Sequence, residues 1–166
     1  MSISYYQLAT QSTTRVLNNL DHLIDMAMIF CAERKIDESV LFNDRLAPDM
    51  FPLSRQVQLV SDMTKGCAAR LAGSEPPSYA DTETSFEQLK ERIKKTIDFI
   101  ATLKESNFAD CEKRNIKLPW YEDALPADVF LLQHALPNIY FHIATAYNIL
   151  RHNGVPVGKR DYIGKI

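Results

Sequence analysis

The sequence predicts an all-α domain, a four-helix bundle, on three observations. Apolar residues recur at spacings of three and four through four long stretches, the signature of helices with one buried face. Several of these stretches begin or end on capping residues. Glycine is scarce, five in 166 residues, and no Asn-Gly or Asp-Gly turn joins two alternating runs, so strand hairpins have no signal.

The first helical pattern runs from about 4 to 34. Leu17, Leu20, Ile24, Ala27 and Cys31 make one stripe, and Val16, Leu23 and Phe30 lie beside it at intervals of seven. Two adjacent stripes predict burial over a wide arc. Residues 35–51 read as a connection with one helical turn after Asp37. Pro52 then suits the first position of a second helix, because the N–H it lacks would be unpaired there. That helix carries Leu53, Val57, Val60, Thr64, Cys67 and Leu71 on one face and stops at Gly73, before Pro76-Pro77. Gly66 lies inside it at a cost of about 1 kcal/mol against alanine, and the usual reason is close approach of a neighbouring helix.

Thr84-Ser85-Phe86-Glu87 matches a capping box, with Thr84 and Glu87 as its two members, and opens a third helix. Phe86, Leu89, Ile93, Ile97, Ile100 and Leu103 form its inner face; Lys90, Glu91, Lys94, Lys95 and Asp98 form a solvated outer one. Residues 107–126 show no sustained period and read as a long connection that packs Trp120 over one end of the bundle. An apolar lead-in, 129–136, is expected to break at Leu136-Pro137. The last helix, 137–152, is apolar on most sides and ends on Asn153-Gly154 and Pro156.

Length and composition place all of 1–166 in one domain: 46% apolar and 24% charged residues are ordinary for a globular chain. A formal net charge of -2 opposes phosphate-backbone binding, so no nucleic-acid partner is expected. Residues 1–16 lack a basic cluster followed by an apolar run, and the apolar stretch 26–32 is far short of the ~20 residues a bilayer span needs. No secretion signal and no membrane association are therefore expected. Cys31, Cys67 and Cys111 make neither a disulfide framework nor a zinc motif, which favours a cytoplasmic location. Cys31 and Cys67 fall on apolar faces and read as core residues, whereas Cys111, in a loop, reads as an exposed thiol.

The chemistry centres on Asn138 and His142, polar residues four apart on one face of a nearly apolar helix. Left unpaired in a core, such groups cost about 1–3 kcal/mol each, so something must answer them. The candidates are each other, a backbone carbonyl freed by Pro137, a water, or else a metal or small ligand. From the second helix Gln56 is placed to reach inward. Asp62, beside Gln58, would fix the imidazole tautomer or complete a mixed N/O metal site if it faced His142. Tyr147, Arg151, His152 and a tail with Lys159, Arg160 and Lys165 form a second cluster that suits an anion or an acidic helix face. His22 and His134 read as lone helix residues. No phosphate loop, nucleophile elbow or H-E-x-x-H motif is present.

Three strings resemble a bacterial and fungal family of unknown function, the domain-of-unknown-function family nineteen ninety-three. They are Leu46-Ala47-Pro48-Asp49-Met50-Phe51-Pro52-Leu53, Leu136-Pro137-Asn138-Ile139-Tyr140-Phe141-His142, and Thr145-Ala146-Tyr147-Asn148-Ile149-Leu150-Arg151-His152-Asn153-Gly154-Val155-Pro156. The likeness covers almost the whole chain. It implies a DinB/YfiT-like four-helix bundle, a homodimer, and kinship with proteins that hold nickel or zinc through three histidines and include thiol-dependent S-transferases. Under that resemblance His142 matches the second histidine of the last-helix pair, Asn138 stands at the first, and Gln58, Leu59 and Asp62 occupy the neighbourhood of the third. With one of three ligands present, the leading expectation is a metal-free site around Gln56, Asn138, His142 and Tyr147, structural or binding a small molecule. The alternative is a divalent-metal enzyme, S-transferase or hydrolase-like, using Asp62 or Gln58 with Asn138 and His142.

Overall fold

The long helices form where apolar spacing calls for them. A computed structural model describes residues 4–165. The chain enters through a π-helical stretch, Gln7–Ser12, which continues as α1, Thr13–Arg34. The stripe Leu17, Leu20, Ile24, Ala27 and Cys31 is fully buried, together with Leu23; Val16 and Phe30 pack at the edge of the core. The short α2, Glu38–Asn43, is capped by the Asp37 carboxylate, which accepts from the Ser39 amide at 2.8 Å.

Helix α3, Leu53–Leu71, follows Pro52 as expected and ends where Gly73 takes φ 77° and the Ser74 amide returns to the Ala69 carbonyl at 2.9 Å. Gly66 does not admit a neighbouring helix: the space beside it is filled by the guanidinium of Arg70, one turn along the same helix. Helix α4 is Phe86–Ala101, and its N-cap is Ser85, one residue later than expected, with no reciprocal bond from Gln88 to the cap's own amide. Ser85 Oγ accepts from the Gln88 amide at 3.3 Å, while Gln88 Oε1 accepts from the Thr84 amide at 2.6 Å.

The connection to the last helix is more ordered than its sequence suggests. Two 3₁₀ turns, Glu105–Phe108 and Cys111–Lys113, lead into a two-residue antiparallel ladder. In it β1, Asn115–Ile116, pairs with β2, Leu125–Pro126. This hairpin covers a second apolar cluster of Phe108, Cys111, Ile116, Leu118, Phe130 and Leu131, into which Cys67 and Leu71 of α3 also pack. Cys111 is therefore buried, not the exposed thiol expected of a loop residue. Trp120 at the hairpin tip remains 60% exposed.

The chain does not break at Leu136-Pro137. It passes from α5, Ala127–Val129, through a π-helical stretch, Phe130–Ala135, directly into α6, Leu136–His152. Pro137 sits in the first turn of α6, and the wider π turn before it accommodates both the missing N–H and the clash that proline causes in a continuous α-helix. Gly154, at φ 89°, ends α6, and α7, Lys159–Ile163, folds back on α1 through Asn19 Nδ2 donating to the Tyr162 carbonyl at 2.9 Å.

Helix α3 is central, with α6 on one side and α4 on the other, and α1 packs against α4. The α3–α4 contact holds a buried polar network. Arg92, its side chain 2% exposed, donates to Asp62 at 2.7 Å, Asp81 at 3.0 Å and Glu83 at 2.9 Å, and to Ser61 Oγ at 3.3 Å. Ser61 in turn meets Thr96 at 2.7 Å. Because Asp81 and Glu83 belong to the segment between α3 and α4, this one guanidinium ties that segment down. Arg92→Ala leaves the facing carboxylates without their buried partner and is expected to lower stability by about 3 kcal/mol in urea unfolding. It should also open residues 74–84 to limited proteolysis; unchanged protection there would contradict this role.

Candidate functional site

His142, in the second turn of α6, faces Gln56 on α3, and its Nδ1 lies 2.8 Å from Gln56 Oε1. The carboxamide cannot turn freely, because Gln56 Nε2 donates to the Phe51 carbonyl at 3.0 Å. Its oxygen, which only accepts, is thus the atom presented to the imidazole. Nδ1 therefore carries the proton and Nε2 keeps an unshared pair. Burial, and then the charge of Arg55, hold the pKa of His142 below the usual histidine value. At neutral pH the ring is an uncharged base or hydrogen-bond acceptor, half-buried, with no protein partner for Nε2 among the described residues.

One exposed ring stands beside it: Phe141, 55% exposed, is edge-on to the imidazole at 5.3 Å. Sequence reasoning found Gln56 and His142 but not Phe141, or Arg55, whose guanidinium charge acts on the imidazole.

The other candidates lie elsewhere. Asn138 is tied to its own helix, its Nδ2 donating to the His134 carbonyl at 2.6 Å, in the wide turn before Pro137. Gln58 donates to Glu83 at 2.9 Å and accepts from Arg55 at 3.1 Å. Asp62 accepts from Arg92 and Lys65. Six residues along an α-helix turn a side chain about 120° away, so Asp62 meets α4 when Gln56 meets α6. Tyr147 is five residues past His142 and is rotated to another face, where its ring packs edge-on to Tyr162 at 6.0 Å. The structure thus joins Gln56 to His142, while Asn138, Tyr147, Gln58 and Asp62 each have another hydrogen-bond or packing partner.

Among the described residues no group of three or more His, Cys, Asp or Glu is placed to hold an ion, and the carboxamides of Gln56 and Asn138 each donate to a backbone carbonyl. His22 is paired with Asp161 at 3.0 Å. His134 lies among aromatic rings, with Tyr121 at 5.5 Å, Phe130 at 5.8 Å and Trp120 at 6.1 Å between centres; burial and then Arg70 lower its pKa.

His134 and His142 share one consequence for pH. Each has a folded-state pKa below the 6.5 of a free imidazole, so the unfolded chain binds protons more readily. Stability from the neutral rings is complete above pH 6.5 and is lost as pH falls through the lowered folded values. Urea unfolding between about pH 7.5 and 5.5 should show this loss, and His142→Gln or His134→Gln should each flatten the slope. A slope untouched by both substitutions would exclude these rings as its source.

The comparisons with known proteins agree with this architecture. The family model described as "Domain of unknown function (DUF1993)" matches residues 5–163. A crystal structure of a DinB family member protein from Shewanella denitrificans is similar with a TM-score of 0.93 and 41% sequence identity, over 97% of this chain and 92% of that one. No curated protein matches the sequence. No helix among the described residues is long and apolar enough to cross a membrane.

Proposed function

The chain belongs to the DUF1993 family, with a DinB-like all-α fold, and from that premise we propose a metal-free binding protein of the cytoplasm. Its site is the Gln56–His142 pair, which offers an unprotonated Nε2 to a small molecule that donates a hydrogen bond. One observation carries this reading: the Gln56 carboxamide, held by the Phe51 carbonyl, fixes the imidazole proton on Nδ1. The exposed ring of Phe141 beside it suits an apolar body on the same molecule.

The competing reading is a divalent-metal S-transferase or hydrolase-like enzyme. It requires Asp62 or Gln58 to join Asn138 and His142, and each of those side chains is engaged by another partner. Elemental analysis of untagged protein purified without chelators separates the two. We expect no stoichiometric transition metal; one nickel or zinc per chain, lost in His142→Ala, would overturn the metal-free site. Nitrogen NMR of His142 is expected to show the Nδ1–H tautomer, and Nε2–H would remove the basis of the reading.

We also infer a homodimer formed through the outer face of α6. From 130 to 150 the sequence has no Asp, Glu, Lys or Arg, and Leu132, Tyr140 and Phe141 are exposed there. A two-fold interface lays a patch on its own copy, so a charge-free apolar face associates without like-charge repulsion. Light scattering should give a dimer mass that Tyr140→Glu reduces to that of a monomer. A monomeric wild-type chain would refute the interface.

A further inference from the structure

Helix α7 is held against α1 by three specific contacts. Asn19 Nδ2 donates to the Tyr162 carbonyl at 2.9 Å, and His22 Nε2 meets Asp161 at 3.0 Å. Gly164, at φ 75°, closes the turn against Asn19, where a Cβ would collide with the carboxamide. Yet no residue of α7 is buried, so this docking adds little to the core. What it makes is a cavity.

The cavity, about 270 Å³, lies between α1, α6 and α7, near the lower end of the ~300–1,000 Å³ usual for ligand pockets. Val16, Ile143 and Ile163 give it an aliphatic lining, and Arg15, Tyr140 and Tyr162 bring polar groups to the same space. Among the described residues Arg15 has neither an ion pair nor a side-chain hydrogen bond, and the hydroxyls of Tyr140 and Tyr162 have no partner in the chain. No side-chain polar atom without a partner is buried, so these groups open to solvent. Burial, and then Tyr140, raise the pKa of Tyr162, which keeps its hydroxyl protonated and able to donate. The lining holds no carboxylate, and the nearby Asp161 is taken up by His22 and by the Gly158 amide at 2.7 Å.

We propose that this cavity binds a small aliphatic monocarboxylate, its carboxylate on the Arg15 guanidinium and its chain on Val16, Ile143 and Ile163. The planar arginine fork matches the two carboxylate oxygens, and the tyrosine hydroxyls supply further donors. One negative charge balances the single positive charge of the lining, and the aliphatic side chains take the ligand's chain out of water. The site does not rest on the Gln56–His142 reading. Of the exposed α6 residues inferred to pair two copies it shares only Tyr140, and Arg15→Gln leaves that face intact.

The test is a titration of protein carbon-13-labelled at isoleucine methyls with sodium hexanoate, followed by NMR. The Ile143 and Ile163 signals, assigned from Ile143→Val and Ile163→Val, are expected to move together and saturate. Hexanamide has the chain without the charge and acetate the charge without the chain; each should bind at least tenfold more weakly. Arg15→Gln, at an exposed position with no partner to lose, should lose at least tenfold in hexanoate affinity. Gly164→Ala keeps the arginine but unseats α7, and should lose a similar factor. Unmoved Ile143 and Ile163 signals, equal binding of hexanamide or acetate, or full affinity in either variant would overturn the proposal. Light scattering on Arg15→Gln should give the wild-type mass; a changed mass would assign its lost binding to lost pairing and overturn the site as well.

Discussion

Helix α3 is buried along most of its circumference, so the polar side chains it buries need partners, and most of them find one on a neighbouring element. Gln56 is answered by His142 of α6 and by the Phe51 carbonyl. Ser61 and Asp62 are answered from α4 by Thr96 and Arg92, and Gln58 by Glu83 of the connecting segment. No buried side-chain nitrogen or oxygen is left without a partner among the described residues. The helix order around α3 follows from this as much as from apolar packing, because a rotated α3 would strand several groups at about 1–3 kcal/mol each.

The same constraint supports the metal-free site proposed above. A metal centre between two helices needs donors from both that are free to converge on one ion. Here the α3 donors nearest the right depth are taken, by the backbone at Gln56 and by the α4 network at Gln58 and Asp62. What remains is one imidazole whose outer nitrogen is unshared and whose surroundings are an apolar ring and a guanidinium charge. Such a group accepts a hydrogen bond or a proton.

The parts of this structure legible in the sequence are those fixed by period and local chemistry: the stripes of α1, α3 and α4, the glycine stops, and His142 as the polar residue demanding a partner. Where the sequence misleads, two local rules compete and tertiary packing chooses. Thr84 and Ser85 are both good N-cap residues, and the helix that buries Phe86 as its first residue takes Ser85 as its cap. Cys111 looks exposed because its neighbours are polar, yet a two-residue ladder folds over it. Gln56 reads as inward-facing and Asp62 as further round, and the rotation of α3 gives the first to α6 and the second to α4. Arg55 acquires meaning only through contacts that no spacing encodes.

Asn138 shows how such a choice bears on function. Four residues before His142, it invites reading the two as a ligand pair. Its amide instead repairs backbone, donating to the His134 carbonyl in the widened turn that lets the helix run on through Pro137. The entry to α1 uses the same device, where the Thr10 and Thr13 hydroxyls donate to the Tyr6 and Ala9 carbonyls beside another π-helical stretch. Ala9 packs with Phe130 and Ala135 in the second apolar cluster, so both widened turns belong to one end of the molecule. That end is shaped by irregular helix and by side chains that satisfy it. Asparagine at 138 therefore serves the path of the chain, and the site proposed above is built on Gln56 and His142.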